Sequence, residues 1–247
     1  MMGVGKSLLS PTFLIDLMET QRYGVEYQPI VDVRSQDIYA YECLARFYDA
    51  DDRPVPPDVV YASLHQSPLS LFQVEYQQKK LQLSNAPGSE KLFVNLDQDS
   101  YFSAGEEDVA NNPFVDLFSA DGHPDITVEL IENSEINDAV MSLAMISDLS
   151  RHGIDTAIDD VCNPQSMVST SVLQLVDFIK LDKHVVRSRD DTNFQCLVRS
   201  LIDYAQATGR KVILEGVETE SDLAFARRLN VDLVQGYWYS DTFVSVR

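Results

Sequence analysis

Eight short runs rich in β-branched and aromatic residues recur along the chain, near positions 25–31, 38–45, 92–96, 126–131, 155–158, 177–181, 211–214 and 232–234. Segments with helical spacing separate most of them, at about 57–83, 106–119, 137–152, 165–175, 191–208 and 219–229, with one more at 11–23 ahead of the first run. Parallel strands need a crossover of about a dozen residues or more, usually a helix. The alternation therefore predicts an α/β fold, and eight strands close most simply into a TIM-type (β/α)8 barrel. One link breaks the rule. Only residues 32–37 separate the first two runs, too few for a crossover and suited to a turn. The expectation is a barrel variant whose first two strands form an antiparallel hairpin.

A chain of 247 residues is an ordinary size for one such barrel. No linker, repeat or low-complexity stretch divides it, so a single domain over 11–247 is expected after a flexible leader over 1–10. The leader's Gly3-Val4-Gly5-Lys6-Ser7 looks like the tail of a phosphate-binding loop, but the motif's first glycine and preceding strand are missing. No stretch is long and apolar enough to span a bilayer, and no secretory signal opens the chain; the reading is a cytoplasmic protein with no membrane span. Cys43, Cys162 and Cys196 make neither a disulfide framework nor a zinc spacing, and the four histidines are scattered. A formal net charge of −20 argues against duplex nucleic acid as a partner, because such binding rests on phosphate neutralisation by Lys and Arg.

The acids fall in a pattern. In a β/α barrel the working face lies at the C-terminal ends of the strands. Asp159 and Asp160 close one run; Lys180 and Asp182, two apart, share a strand face. Asn95 lies on the face of Phe93, and Glu129 stands between Thr127 and Ile131. Glu42 interrupts the hairpin strand with Arg46 beyond it, Glu215 closes an apolar run with Glu218 one loop on, and Gln235 closes the last. One adjacent acid pair, taken alone, reads more readily as a solvated turn. An acid or amide on nearly every strand does not, since charges within apolar runs need a partner or a metal. Carboxylates and an amide oxygen suit Mg2+ or Mn2+. Two such ions would clamp the attacking and leaving oxygens of a phosphoryl displacement, and a Lys beside them would orient water or steady charge. Glycoside hydrolysis by two carboxylates is the rival use; the Asn, the Lys and the surplus of acids argue against it.

In order and spacing these pieces resemble the EAL domain family, phosphodiesterases that linearise the bacterial second messenger cyclic di-GMP. The name-giving motif stands as Glu42-Cys43-Leu44-Ala45-Arg46, with Cys where Ala is usual, and YQPIV, FVNLD, VELIE, AIDD, DFIKLD, ILEGVET and VQGYWYS match in turn. The likeness spans about residues 25–240. It implies that Glu42, Asn95, Glu129 and Asp159 bind a first metal, and that Asp159 bridges to a second held by Asp160 with Asp182 or Glu215. Lys180 would hold the nucleophilic water and Glu215 would be the candidate general base. Gln28, Leu44, Arg46 and Gln235 would touch the dinucleotide, with Glu132 and Glu218 supporting the site. Pairing as a homodimer is also implied.

The chain departs from the family after the acid pair. Where FGTGYSS is usual it has Val161-Cys162-Asn163-Pro164-Gln165-Ser166-Met167, so both glycines are gone and a proline has come in. Asp241-Thr242 stands where a basic residue and Pro are usual. Intact ligands beside an altered loop predict a working phosphodiesterase, slow or differently regulated. The alternative is an inactive cyclic di-GMP receptor or protein-interaction module.

Overall fold

The computed structural model describes residues 8–104, 112–130, 136–167 and 169–247. Helix α1 (Pro11–Thr20) precedes the expected hairpin of β1 (Tyr23–Asp32) and β2 (Ile38–Tyr48). Asp32 builds the turn between them, its Oδ1 accepting from the N–H groups of Arg34 and Ser35 at 2.8 and 2.9 Å. A short strand β3 (Pro54–Val55) and helices α2 (Pro57–Leu64) and α3 (Pro68–Ser84) lead to β4 (Lys91–Asn95). Then follow α4 (Gln98–Ser103), α5 (Pro113–Phe118), β5 (Ile126–Leu130), α6 (Ile136–Arg151), β6 (Asp155–Val161), α7 (Thr170–Leu173) and β7 (Phe178–Leu181). The order ends with α8 (His184–Arg187), α9 (Thr192–Ala207), β8 (Lys211–Leu214), α10 (Glu220–Leu229), β9 (Leu233–Val234), a 3-10 turn at Tyr237–Thr242 and β10 (Val244–Val246).

Strands β2, β4, β5, β6, β7, β8 and β9 pair in parallel succession, and β1 closes the ring of eight. It runs antiparallel to β2 on one side and to β9 on the other. One edge of β1 is covered in two steps: Val31 and Asp32 pair with β9, and Val25 to Tyr27 pair with β10. Three apolar clusters result among the described residues: one, of Leu17, Tyr23, Phe47, Val60, Leu64, Leu71 and Val74, packs α1, α2 and α3 against the hairpin, and the other two are layers of the barrel. The larger fills the space between strands and helices. The smaller plugs the ring itself with Ile30, Ala40, Phe93, Ala157, Phe178, Ile213 and Leu233, where Phe93 and Phe178 meet edge to face at 5.0 Å.

Several boundaries differ from expectation. The helix expected over 57–83 is two, because Pro68 lacks an N–H and its ring clashes with a preceding turn; it begins α3 instead. The helix expected over 165–175 shrinks to α7, started by Ser169, whose hydroxyl accepts from Val172 N–H. Of the helix expected over 106–119, residues 105–111 lie outside the described residues and α5 covers the rest. Strand β6 runs on through the acid pair to Val161, and β3 and β10 were not expected. Residues 1–7 of the expected leader also lie outside the described residues, while Leu9 N–H bonds Ser63 Oγ and Ser10 caps α1. No helix among the described residues is long and apolar enough to cross a membrane.

Candidate metal centre at the barrel mouth

Side chains alternate along a strand, so each residue two beyond the apolar plug faces inward again, nearer the mouth. Ala40 gives Glu42, Phe93 gives Asn95, Ala157 gives Asp159, Phe178 gives Lys180, Ile213 gives Glu215 and Leu233 gives Gln235. Buried Thr127 gives Glu129 in the same way. Because β1 is reversed, its equivalent lies two residues earlier, and Gln28 stands opposite Glu42 in the hairpin register. One polar layer thus rests directly on the apolar one.

Lys180 is at the centre of this layer and fully buried. Its Nζ lies 2.8 Å from Glu129 Oε1, 2.9 Å from Glu215 Oε1, 3.1 Å from Asp159 Oδ1 and 3.5 Å from Glu42 Oε1. Asn95 Nδ2 donates to Glu42 Oε1 at 3.3 Å, and Gln235 Nε2 donates to Glu42 Oε2 at 2.5 Å. Burial pushes the Glu129 carboxyl well up, and the Glu42 charge adds to the rise. Burial raises Glu215 to about 8, against the pull of Lys180. Burial alone would lower Lys180, yet the carboxylates of Asp159, Glu129, Glu215 and Glu42 hold it well above its ordinary value. For Glu42, burial is outweighed by the Lys180 charge and the Gln235 hydrogen bond, and the net shift is downward.

Two sets of ligand atoms converge here: Glu42, Glu129 and Asp159 form one, and Asp159, Asp160 and Glu215 the other, with each set's atoms within 4.8 Å of one another. Asp159 belongs to both. Despite the ion-pair distances, both Glu129 oxygens and Asp159 Oδ1 are buried without an aligned hydrogen bond. Carboxyl oxygens of this kind, dry and convergent, fit a hard divalent cation. A break in the β6–β7 register between Ile158 and Val161 swings both acids toward the mouth. Asp160 takes φ +56° there and Cys162 φ +72°. Burial, then the Asp159 and Asp182 charges, raise the Asp160 pKa.

The other expected site residues divide. Asp182 lies outside both ligand sets; its Oδ1 accepts at 2.7 Å from the N–H of His184, the first residue of α8. Leu44 and Arg46 line a cavity that opens from Glu42, Asn95 and Asp159. Gln28 and Arg46 both bind Glu26 Oε1, at 2.9 and 2.7 Å. Gln235, expected to meet a dinucleotide, is buried against Glu42. Glu218 is exposed, its backbone N–H held by Asp222. Glu132 lies outside the described residues. Glu26 was missed, although its place two before Gln28 put it on the same strand face. Glu75 and Lys79, which wall the same cavity, were also missed.

The EAL domain family pattern matches residues 14–242. The bifunctional diguanylate cyclase/cyclic di-GMP phosphodiesterase MucR of Pseudomonas aeruginosa is 22% identical over 89% of this chain and 33% of its own length. The chain spans about a third of the length of the first curated relatives it matches. The FimX EAL domain from Pseudomonas aeruginosa, bound to c-di-GMP, superposes with a TM-score of 0.72 at 21% identity, covering 92% of this chain and 93% of that one. The YkuI protein of Bacillus subtilis, with an EAL domain and in complex with c-di-GMP and calcium, gives 0.73 at 18% identity, covering 93% and 56%.

Proposed function

The chain belongs to the EAL domain family, and from that premise we propose that it hydrolyses cyclic di-GMP to the linear dinucleotide pGpG in a divalent-metal-dependent reaction. The observation that carries this reading is the pair of carboxylate sets sharing Asp159, whose buried oxygens have no hydrogen-bond donor aligned on them and only the Lys180 ammonium beside them. Glu42, Glu129 and Asp159, with Asn95 beside them, would hold one Mg2+ or Mn2+; Asp159, Asp160 and Glu215 would hold a second. Bound there, the ions would supply positive charge to the phosphate oxygens and a water acidic enough to react near neutral pH.

The side chains do the rest. Lys180 orients that water and steadies the negative charge that grows as one phosphodiester bond opens. Gln235 and Asn95 hold Glu42 in place from two sides. Arg46 exchanges Glu26 for the second phosphate, with Gln28 and Leu44 beside it. Glu215 accepts the proton of the water on the carboxylate oxygen it does not offer to an ion, and the ribose oxygen that leaves phosphorus takes a proton from solvent. The expected homodimer and the cytoplasmic location belong to the same proposal. Incubating purified protein with cyclic di-GMP and Mg2+ or Mn2+ tests it by chromatography; absence of pGpG at high enzyme concentration rejects it.

A second reading, a cyclic di-GMP receptor without turnover, is favoured by the loop after Asp160, where Cys162 adopts a conformation that suits glycine. Calorimetry in EDTA separates the two. Tight metal-independent binding without product supports the receptor.

A further inference from the structure

The cavity at the mouth has a volume of 760 Å3 and continues from the ligand sets, past Leu44 and Arg46, to a wall supplied by α3. Glu42 and Arg46 are four residues apart on one strand, roughly 13 Å at about 3.3 Å per residue. A nucleotide attached to a phosphate at the ligand sets would lie along this length.

At the wall stand Glu75 and Lys79, 2% and 1% exposed and one helical turn apart. Lys79 Nζ is 3.4 Å from Glu75 Oε1, which also accepts from Asp97 N–H at 3.0 Å. Among the described residues Glu75 is the only ion-pair partner of Lys79. Glu75 Oε2 is buried with no hydrogen-bond partner; burial raises the carboxyl's pKa, and the Lys79 charge pulls it back. Buried polar atoms are nearly always paired. An acceptor and a donor with spare capacity, side by side on a cavity wall, form a recognition pair.

We propose that Glu75 and Lys79 read the base edge of a guanine nucleotide in this cavity, the carboxylate accepting from N1–H and the N2 amine and the ammonium donating to O6. This rests on the cyclic di-GMP reading above and adds to it the side chains that select the base. Adenine presents the inverse edge: an amine where guanine has O6, and a lone pair at N1. Against adenine the ammonium would meet a donor and the carboxylate an acceptor, so the pair both attracts one purine and repels the other.

The test is calorimetry in calcium, comparing cyclic di-GMP, cyclic di-AMP and cyclic di-IMP, whose base lacks the N2 amine. Wild type should prefer cyclic di-GMP over cyclic di-AMP by about 100-fold, the scale of one well-formed two-bond edge contact. Lys79→Met should lose about 10-fold for cyclic di-GMP and nothing for cyclic di-AMP, with Lys79→Arg near wild type. Glu75→Gln should bring the cyclic di-GMP and cyclic di-IMP affinities together. If that variant melts early, Glu75→Asp, which keeps the charge but withdraws it by one methylene, gives the same readout. Folded variants that keep the wild-type preference overturn the base assignment alone. A wild-type protein that binds no cyclic di-GMP overturns the functional reading and the base assignment with it.

Discussion

The Lys180 ammonium lies 2.8 Å from Glu129 Oε1, and neither side chain exposes any surface. Three further carboxylates share the same cation. In the metal-free protein Lys180 is the counter-ion of the whole polar layer. Breaking a buried pair by removing one partner typically costs about 3–5 kcal/mol, because the other charge is left uncompensated. Lys180→Met should therefore lower the unfolding free energy in EDTA by about that amount, and Mn2+ should restore part of it. Urea titrations with and without the metal check this; equal stability of the two proteins in EDTA would refute it.

Asp159 is the shared member of the two ligand sets. Asp159→Asn should abolish metal-induced stabilisation and cut turnover by more than about 100-fold, the upper range for losing a metal site's supporting contacts. Asp160→Asn belongs to one set only, and should leave a single metal equivalent bound. Metal stoichiometry by calorimetry distinguishes them, and an identical count for both variants contradicts the shared role.

Metal-free stability should depend on pH with a definite sign. Glu215 has a folded pKa of about 8 against an ordinary 4.5, so folding takes up a proton between those values. Its contribution is full below about pH 4.5 and is lost as pH rises through about 8. Glu129 is shifted the same way. Glu42, shifted down, contributes in the opposite sense, and that contribution is lost on acidification below its ordinary range. Melting temperatures in EDTA should fall from about pH 5 to about pH 9, while the gain on adding Mn2+ widens. A metal-induced gain independent of pH would count against these carboxylates as the ligands.

Cys162 holds φ +72° in the loop where the family usually carries glycine. A side chain there costs on the order of 1–2 kcal/mol. Cys162→Gly should raise stability by about 1 kcal/mol, less than the strain relieved because glycine also gains freedom when unfolded. Thermal melts decide it, and a destabilised variant would show that the Cys162 side chain supplies packing that outweighs the strain.

Gly236 follows Gln235 where two backbones touch. A Cβ at that position would stand 2.3 Å from Val217 O and 2.5 Å from Val217 N, backbone atoms that cannot step aside. Gly236→Ala should destabilise by about 1–3 kcal/mol and loosen the Gln235 grip on Glu42. A melt and a metal titration report the two effects, and wild-type values in both would show that the backbone yields.

The polar layer was legible because strand alternation is strict. From Ala40 to Glu42 or Phe178 to Lys180, a two-residue step is the whole geometry. The reversed β1 was legible from the six residues of its turn. The irregular course of β6 was not, since a register break depends on what the neighbouring strand does rather than on Asp159 and Asp160 themselves. Spacing alone does not separate the candidates: Asp182 looks equivalent to Lys180, yet strand β7 ends at Leu181 and the Asp182 carboxylate accepts from the His184 N–H, where α8 begins. Glu75 and Lys79 left no readable trace. Buried together with Gln78 and Gln82, they erase the apolar stripe that would have marked which side of α3 faces inward.

The pairing along β1's outer edge ties positions 25–32 to positions 233–246. Glu42 and Gln235, 193 positions apart in the sequence, meet only when that seam is sewn. A chain cut before Leu233 would be an unrolled sheet with two bare flanks, its acids strung along a line instead of gathered around a lysine. The contacts that complete the centre are therefore among the longest in sequence separation in the chain, and they are the same contacts that complete its wall.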